Sequence, residues 1–568
     1  MAGSRNKVNK VVTFLVALGV LGSAIAGCAP AATPTSGAPG EATATTAPEA
    51  TTPIAEEPTP TEAGPPVGGE LIVGLDFEPS IIDPHRAIAS PPTMQVCESL
   101  LMRKPDGTFE PGLATSWEIS DDGTSYTFYL REGVEFHDGT PFNAEAVKYN
   151  FDRIVDPATE SREAVDLLGP YLETEVVDDY TVVVHLETPF ANFLDGMSSP
   201  WVCIVSPTAA EEWGLEEFQD HFTGTGPFVF VEWKRHEYVK VERNTNYWGG
   251  EELVEHQGLA YLDTVVFKFI EEAGVRSGTL ETGEIQIAEE VPAVDVARLD
   301  AREDIDVLIN PGAGTGVMLL LNMSKPPTDD LKVRQAIEYA VDQKAISDIL
   351  YQGVLGPSYG PLSPVSPCYW SGVEDMYPYD PERARDLLEE AGWVDADGDG
   401  IRDKDGQPLR LDLPSPGDIP LYSDPCPIVQ AQLAEVGIDV NLMNVAIPAW
   451  LEAGSTGELH IGVVDWRAGT PDTNLRLPFH SANAAAFAWN WHSNSHLDDL
   501  LEEGMVTTDP ETACAIYEEV QQIIMDDAMI KPLHLYSAVR GVRSEVKGLR
   551  IDGLDPGSFW VFDVYLEQ

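Results

Sequence analysis

The chain has 568 residues, with 94 Asp and Glu against 34 Lys and Arg, for a formal charge of −60. Such a chain repels the phosphates of nucleic acids, which excludes them as partners, and its 43% hydrophobic content excludes wholesale disorder. The length admits several domains and a large core.

At the N-terminus, Arg5, Lys7 and Lys10 precede an apolar run from Val11 to Leu21. That run is about half the ~20 residues a membrane-spanning helix needs, so residues 1–27 read as an export signal. It leads into Ile25-Ala26-Gly27-Cys28, which resembles a bacterial lipobox and predicts lipidation of Cys28. Residues 28–66 are Ala, Thr, Pro, Glu and Gly with almost nothing to bury, the composition of a disordered linker. The expected location is therefore the outer face of the cell membrane, facing the periplasm or exterior, on an acyl anchor. Five cysteines remain beyond Cys28, so at least one is unpaired. Cys368 and Cys426 lie in loop-like contexts and are the expected disulfide, with buried inert thiols as the alternative.

From residue 69 strands and helices alternate. Glu70–Leu75, Tyr126–Leu130, Thr181–Leu186, Tyr238–Val241 and Val265–Ile270 alternate as strands. Val317–Leu321 is a continuous apolar run, expected to be a buried strand. Val333, Ala336, Ile337, Ala340 and Val341 recur at helical spacing after Asp330. Pro381–Ala391 and Thr512–Met525 are further helices, with Gly392 as the stop signal of the first. The fold class is mixed α/β, large enough for two lobes.

The stretch Leu130-Arg131-Glu132-Gly133-Val134-Glu135-Phe136-His137-Asp138-Gly139-Thr140-Pro141-Phe142-Asn143-Ala144-Glu145 resembles the signature of the family 5 extracellular solute-binding proteins. Gly224-Thr225-Gly226-Pro227-Phe228, Glu242-Arg243-Asn244, Tyr247-Trp248, Val333-Arg334-Gln335-Ala336, Tyr379-Asp380-Pro381-Glu382-Arg383-Ala384 and Val546-Lys547-Gly548-Leu549 extend it over roughly residues 69–568. The resemblance implies a two-lobed periplasmic-binding-protein-like fold. Residues 67–322 plus 528–568 would form the first lobe and 323–527 the second, with a hinge between them. It also implies a function: the non-catalytic binding component of an ABC importer, with a monomer as the default expectation. Such a protein captures a small solute, a peptide in the leading reading, and delivers it to membrane permease subunits. An oligosaccharide or other non-peptide solute is the alternative within the family, and a secreted carboxylate-based hydrolase or an adhesin is the alternative outside it.

In peptide-binding members an Asp after a Trp-containing stretch receives the ligand's amino terminus. The matching stretch here is Asp465-Trp466-Arg467-Ala468-Gly469-Thr470-Pro471-Asp472, which places Gly469 at that position. Asp465 would replace the missing carboxylate only if the loop shifts, while Arg467 can receive a carboxylate or phosphate as a fork. Trp370, Trp466, Trp489 and Trp491 offer stacking faces in the second lobe. The resemblance adds Phe77 and Glu78, just after the first strand, and Tyr359 in a Pro/Gly loop.

Three further patterns are weaker. Asp395, Asp397, Asp399 and Asp403 mimic a calcium loop with Gly400 at its turn, although Gly406 stands where a bidentate Glu is needed. No cofactor other than this calcium is expected. Gly356-Pro357-Ser358-Tyr359-Gly360 has the spacing of a hydrolase nucleophile elbow, but Pro361, Pro364 and Pro367 forbid the helix it needs. His492 and His496, with His480 nearby, are spaced like metal ligands but read as solvated loop histidines.

Overall fold

The computed structural model describes residues 65–567, apart from 88–89, 105–106, 162, 251–255 and 418. The expected export signal, Cys28 and all but the last two residues of the expected linker lie outside the described residues.

Two large sheets and the hairpin Leu101–Arg103/Phe109–Pro111 build the part of the chain that precedes residue 312. The larger has seven strands in the order Ile305–Pro311, Ser537–Arg543, Ile287–Ala288, Glu70–Leu75, Thr264–Phe269, Tyr238–Arg243, Phe228–Lys234. Glu70–Leu75 runs parallel to Thr264–Phe269, with Leu71 opposite Val265 and Val73 opposite Phe267. The segment Ser537–Arg543 returns from the far end of the sequence to pair antiparallel with Ile305–Pro311. The second sheet is antiparallel, in the order Ala114–Ile119, Ser125–Leu130, Thr181–Leu186, Tyr171–Asp178. Tyr126, Phe128 and Leu130 are buried with Val182, Val184 and Leu186, and they share a core with Val147, Phe151 and Ile154 of the helix Ala144–Val155. One covered face is why the strands of this second sheet alternate in sequence.

A separate core gathers residues from Val317 to Leu533. Its central strand, Val317–Leu321, lies between Ile461–Val464 and Ile530–His534 and is buried at all five positions. Covered on both faces, it reads as an unbroken apolar run rather than an alternation. The helices Leu331–Ala340, Pro381–Glu390, Pro425–Glu435, Ser495–Val506 and Pro510–Asp526 pack around it. Aspartates begin three of these elements as capping acceptors. Asp330 accepts from the Lys332 N–H, Asp380 from those of Glu382 and Arg383, and Asp509 from that of Thr512.

The signature stretches prove to be packing devices. The N–H of His137 donates to Gly224 O at 2.9 Å and its Nε2 lies 2.9 Å from Gly226 O. Asp138 accepts from the backbone and hydroxyl of Thr140 and from the Ser206 hydroxyl. Asn143 caps the helix Ala144–Val155 through the Ala146 N–H. Gly224 and Gly226 press so tightly on the backbone of Gln95 and Val96 that a Cβ at either would fall within 2.6 Å of a carbonyl oxygen.

The disulfides correct the sequence reading. Cys368 pairs with Cys514, not with Cys426, and a second bridge joins Cys97 to Cys203. Cys426 is a buried free thiol at the start of Pro425–Glu435, donating to Tyr422 O, and burial pushes its pKa up to about 11. Sequence context could not see that the helix Pro510–Asp526 brings Cys514 against the 368 loop.

Candidate functional site

The strand Ile461–Val464 delivers the loop 465–470 to the junction between the two bodies of the molecule, and this loop is heavily braced. Thr315 and Trp466 exchange hydrogen bonds, the Trp466 N–H to Thr315 Oγ1 and the Thr315 N–H to Trp466 O, both at 2.9 Å. Asn474 holds Ala468 from both sides, accepting its N–H and donating to its carbonyl at 2.9 Å each. Thr470 then caps the helix Pro471–Phe479 through the Thr473 N–H. Such bracing holds functional side chains in fixed directions.

Asp465 and Arg467 form one unit. The Asp465 carboxylate accepts from the Tyr422 hydroxyl and pairs with Arg467 Nε. The Arg467 guanidinium lies over the Tyr536 ring, 3.7 Å from its centroid. Burial works against the charge of Arg467, yet Asp465 together with Tyr536 and Tyr422 more than offsets it and the guanidinium pKa is raised. Arg467 Nη2 is buried and donates to nothing among the described residues.

Gly469 has a physical reason to lack a side chain. A Cβ there would stand 2.0 Å from Nη1 of Arg103, which comes from the strand Leu101–Arg103 in the other body. Arg103 is clamped by Asp195 and Asp552, each at 3.3 Å. Its Nε is also buried without an acceptor among the described residues. Around this contact the two bodies touch again. Asn192 Nδ2 donates to Asp472 Oδ2 at 3.1 Å, and the Ala191 N–H donates to Met505 O at 3.0 Å. Burial raises the pKa of Asp472, with Arg476 acting against it.

The first body holds buried charged residues that sequence reasoning missed. Glu290 sits at φ +56°, a left-handed conformation that costs a non-glycine residue energy and that clusters at ligand sites. Its Oε1 is buried and accepts nothing among the described residues. The neighbouring Glu289 is engaged by the fully buried Arg540, whose Nη2 reaches Gly557 O and whose Nη1 is without an acceptor among the described residues. Burial and then the charge of Asp76 raise the Glu290 pKa well above the carboxylate range, and burial lifts Asp76 to about 6. No motif marks Glu290 in the sequence; only the fold brings it near Tyr536.

Other expected site residues lie elsewhere. Glu78 is committed to its own body, with its carboxylate accepting from Trp233 Nε1 and the His236 N–H, while Phe77 beside it is 39% exposed. Tyr359 is 38% exposed. Trp489 is 2% exposed, its ring edge-on to Trp450 and its N–H on Ala486 O, so the expected stacking face is a core face. Trp491 donates to Gly454 O, and Trp370 packs on the second core. Trp466 remains half-buried beside Phe487, with ring centroids 6.4 Å apart. Of the ten expected ligand residues, Asp465, Trp466, Arg467 and Gly469 come together.

The weaker patterns resolve as follows. Asp395, Asp397 and Asp399 converge within 4.8 Å on an exposed loop, while Asp403, on the short strand Asp403–Lys404, is not part of that group although burial and the charges of all three raise its pKa. Asp395 accepts the N–H groups of Gly398 and Gly400, so the carboxylates already organise the turn. Ser358 is fully buried, with its hydroxyl directed at Gly360 O, and no helix follows it. His492 corrects the solvated reading: it is 5% exposed and bonded to Phe479 O, and His496 lies on the helix Ser495–Val506 facing Glu519.

Comparison with known proteins agrees with this architecture. The family model "Bacterial extracellular solute-binding proteins, family 5 Middle" matches residues 108–486. The glutathione-binding protein GsiB of Escherichia coli strain K12 is 31% identical over 449 residues, 77% of this chain and 83% of its own. The periplasmic binding protein DppA from Helicobacter pylori, in complex with the peptide STSA, superposes with a TM-score of 0.72 at 27% identity, covering 89% of this chain and 99% of that one. NikA from Brucella suis, in complex with Fe(III)-EDTA, gives a TM-score of 0.79 at 26% identity, covering 88% and 100%. The chain belongs to the family 5 bacterial extracellular solute-binding proteins.

Proposed function

We propose that the chain is the solute-binding component of an ABC importer, with a short peptide as its solute. It would capture that solute between a first lobe of residues 67–322 plus 528–568 and a second of 323–527, then present it to permease subunits. The observation that carries this reading is the braced loop 465–470 at the junction of the two bodies, where Arg467 Nη2 and Arg103 Nε are buried donors without an acceptor among the described residues. An unpaired buried donor costs about 1–3 kcal/mol, which a bound acceptor recovers. Family membership and the glutathione-binding and peptide-bound relatives support a carrier that does not convert its solute. Export through residues 1–27, an acyl anchor on Cys28 and a monomeric state complete the proposal, with calcium on the Asp395 loop an accessory at most. NikA with Fe(III)-EDTA supports a chelate as the second solute class.

A thermal-shift screen of the purified chain against short peptides, glutathione, metal chelates and oligosaccharides tests this. A saturating solute at 100 times its Kd stabilises the chain by about 2.7 kcal/mol and is recovered unaltered. Turnover of the bound solute, or indifference to every class, would refute the proposal.

A further inference from the structure

The chain crosses between its two bodies from the strand Ile305–Pro311 into Val317–Leu321, and again from Ile530–His534 into Ser537–Arg543. One loop of the second body grips both crossings. At the later crossing the Leu535 N–H donates to Gly356 O at 2.8 Å, and Pro357 pairs with His534 as an isolated bridge. At the earlier one, Ser363 donates its hydroxyl to Gly312 O and its N–H to Gly314 O, both at 2.7 Å. The buried Ser366 hydroxyl accepts the Gly314 N–H at 2.9 Å. Between these contacts the Ala313 N–H donates at 2.8 Å to Leu554 O, which lies between the strands Arg550–Ile551 and Phe559–Trp560 of the first body. The joint is thus held from both sides at adjacent residues. One residue beyond Gly314, Thr315 exchanges its hydrogen bonds with Trp466 of the candidate site.

The far end of the gripping loop is tied down by the Cys368–Cys514 bridge. Gln521, on the same helix as Cys514, donates to Cys368 O at 2.8 Å and accepts the Trp370 N–H at 3.2 Å. Cys368 stands at φ +60°, a left-handed conformation that costs a non-glycine residue energy and persists where its surroundings impose it. The two disulfides differ in access. Cys97 and Cys203 are buried in the core of the first body, whereas Cys368 and Cys514 are each half-buried. Thiol–disulfide exchange needs a thiolate to reach a sulfur, so access decides which bridge opens first. We propose that Cys368–Cys514 is a redox-sensitive anchor for the joint between the two bodies, with Ser363 and Ser366 as the positioning residues through which it acts. The reductant is a dithiol. One of its thiolates attacks a bridge sulfur, the S–S bond breaks as a mixed disulfide forms, and the second thiolate displaces the remaining cysteine. Two electrons and two protons pass to Cys368 and Cys514 as thiols, and the dithiol leaves as its own disulfide. With the anchor open the serine grip loosens, the loop 465–470 loses its fixed reference to the joint, and the chain holds its solute less well.

The effect on solute rests on the solute-binding reading, so the joint is tested first with no solute present. The oxidised full chain is compared with chain treated with dithiothreitol until alkylation mapping finds Cys368 and Cys514 modified and Cys97 and Cys203 still joined. Hydrogen exchange read by mass spectrometry should then be about tenfold faster in fragments covering Gly312–Gly316 and Leu535, unchanged in Val317–Leu321, and restored on reoxidation. Ser366→Ala in the oxidised chain should show the same faster exchange over Gly312–Gly316. Cys368→Ser combined with Cys514→Ser should match the reduced wild type and ignore dithiothreitol. Opening of Cys97–Cys203 first, unchanged exchange at both crossings once Cys368–Cys514 is open, or equal acceleration in Val317–Leu321 overturns the proposal. A cysteine-free tripeptide pool, read by native mass spectrometry, should be retained about tenfold less by the reduced chain. Equal retention in both states overturns the link from joint to solute. If the oxidised chain retains no tripeptide while the crossings still loosen on reduction, the anchor stands and the peptide reading fails.

Discussion

At Gly469 a Cβ would lie 2.0 Å from Arg103 Nη1, and Asp195 and Asp552 keep that guanidinium from swinging aside. Gly469→Val is expected to push the two bodies apart here, at an overpacking cost of about 1–3 kcal/mol, and Arg103→Ala in the same chain should recover most of the loss. Chemical denaturation of the single and double variants measures this, and equal stability of Gly469→Val and wild type would remove the steric account. The departure at Gly469 was legible in the sequence, but its cause was not, because Arg103 lies more than three hundred residues away and enters through the fold. The same limit governed the cysteines. Peptide mapping without reduction should recover Cys97 joined to Cys203 and Cys368 to Cys514, with Cys426 alkylated only after unfolding. Replacing Cys368 and Cys514 together by Ala should cost about 2–5 kcal/mol, since the bridge closes a loop with a sequence separation of 146. Recovery of a peptide linking Cys368 to Cys426 would contradict the structure.

Among elements, the helix Ala144–Val155 anchors a buried polar cluster. Its Arg153 pairs with Asp83 and approaches His85 Nδ1 at 2.6 Å, while His85 Nε2 lies 3.0 Å from Cys203 O. These partners assign a neutral ring, accepting at Nδ1 and donating at Nε2. Burial and then Arg153 lower the His85 pKa from 6.5 to about 4. The folded state therefore binds fewer protons than the unfolded one between those values. The neutral ring contributes fully above pH 6.5, and about 3 kcal/mol is lost as the pH falls through 4. His85→Gln should show a shallower decline in denaturation midpoint between pH 7 and 4.5, and parallel profiles for variant and wild type would contradict this assignment. Strands and helices themselves were largely legible. Glu70–Leu75, Thr181–Leu186 and Val317–Leu321 have the expected limits, because one-face alternation or two-face burial is written directly into side-chain order. The family signature was legible as a string but not as a contact. That His137 reaches Gly224 and Gly226 is a fact of tertiary packing, and it shows the motif serving the scaffold rather than the ligand.

For the whole molecule, two separately cored bodies meet at a loop that carries a buried hydrogen-bonding group without a partner among the described residues. Asp465, Trp466 and Arg467 could be nominated because a strand end carrying an Asp, an aromatic and an Arg is a plausible ligand surface from residue type alone. Glu290 could not, since its strained backbone and unfilled oxygen exist only after Arg276 and Arg540 have closed around it. Trp489 shows the opposite error, an aromatic whose type suggests a ligand and whose place is a core. The central claim is that this chain carries a small solute between its lobes. Native mass spectrometry of the chain purified from its own cells, followed by denaturation and identification of whatever is released, tests that claim most directly. The account predicts one small solute per chain, bearing an amine and a carboxylate, unchanged on release and exchangeable with a short peptide. A chain that emerges empty and stays empty after exposure to peptides, chelates and sugars, or one that releases the cleavage products of an added solute, would contradict it.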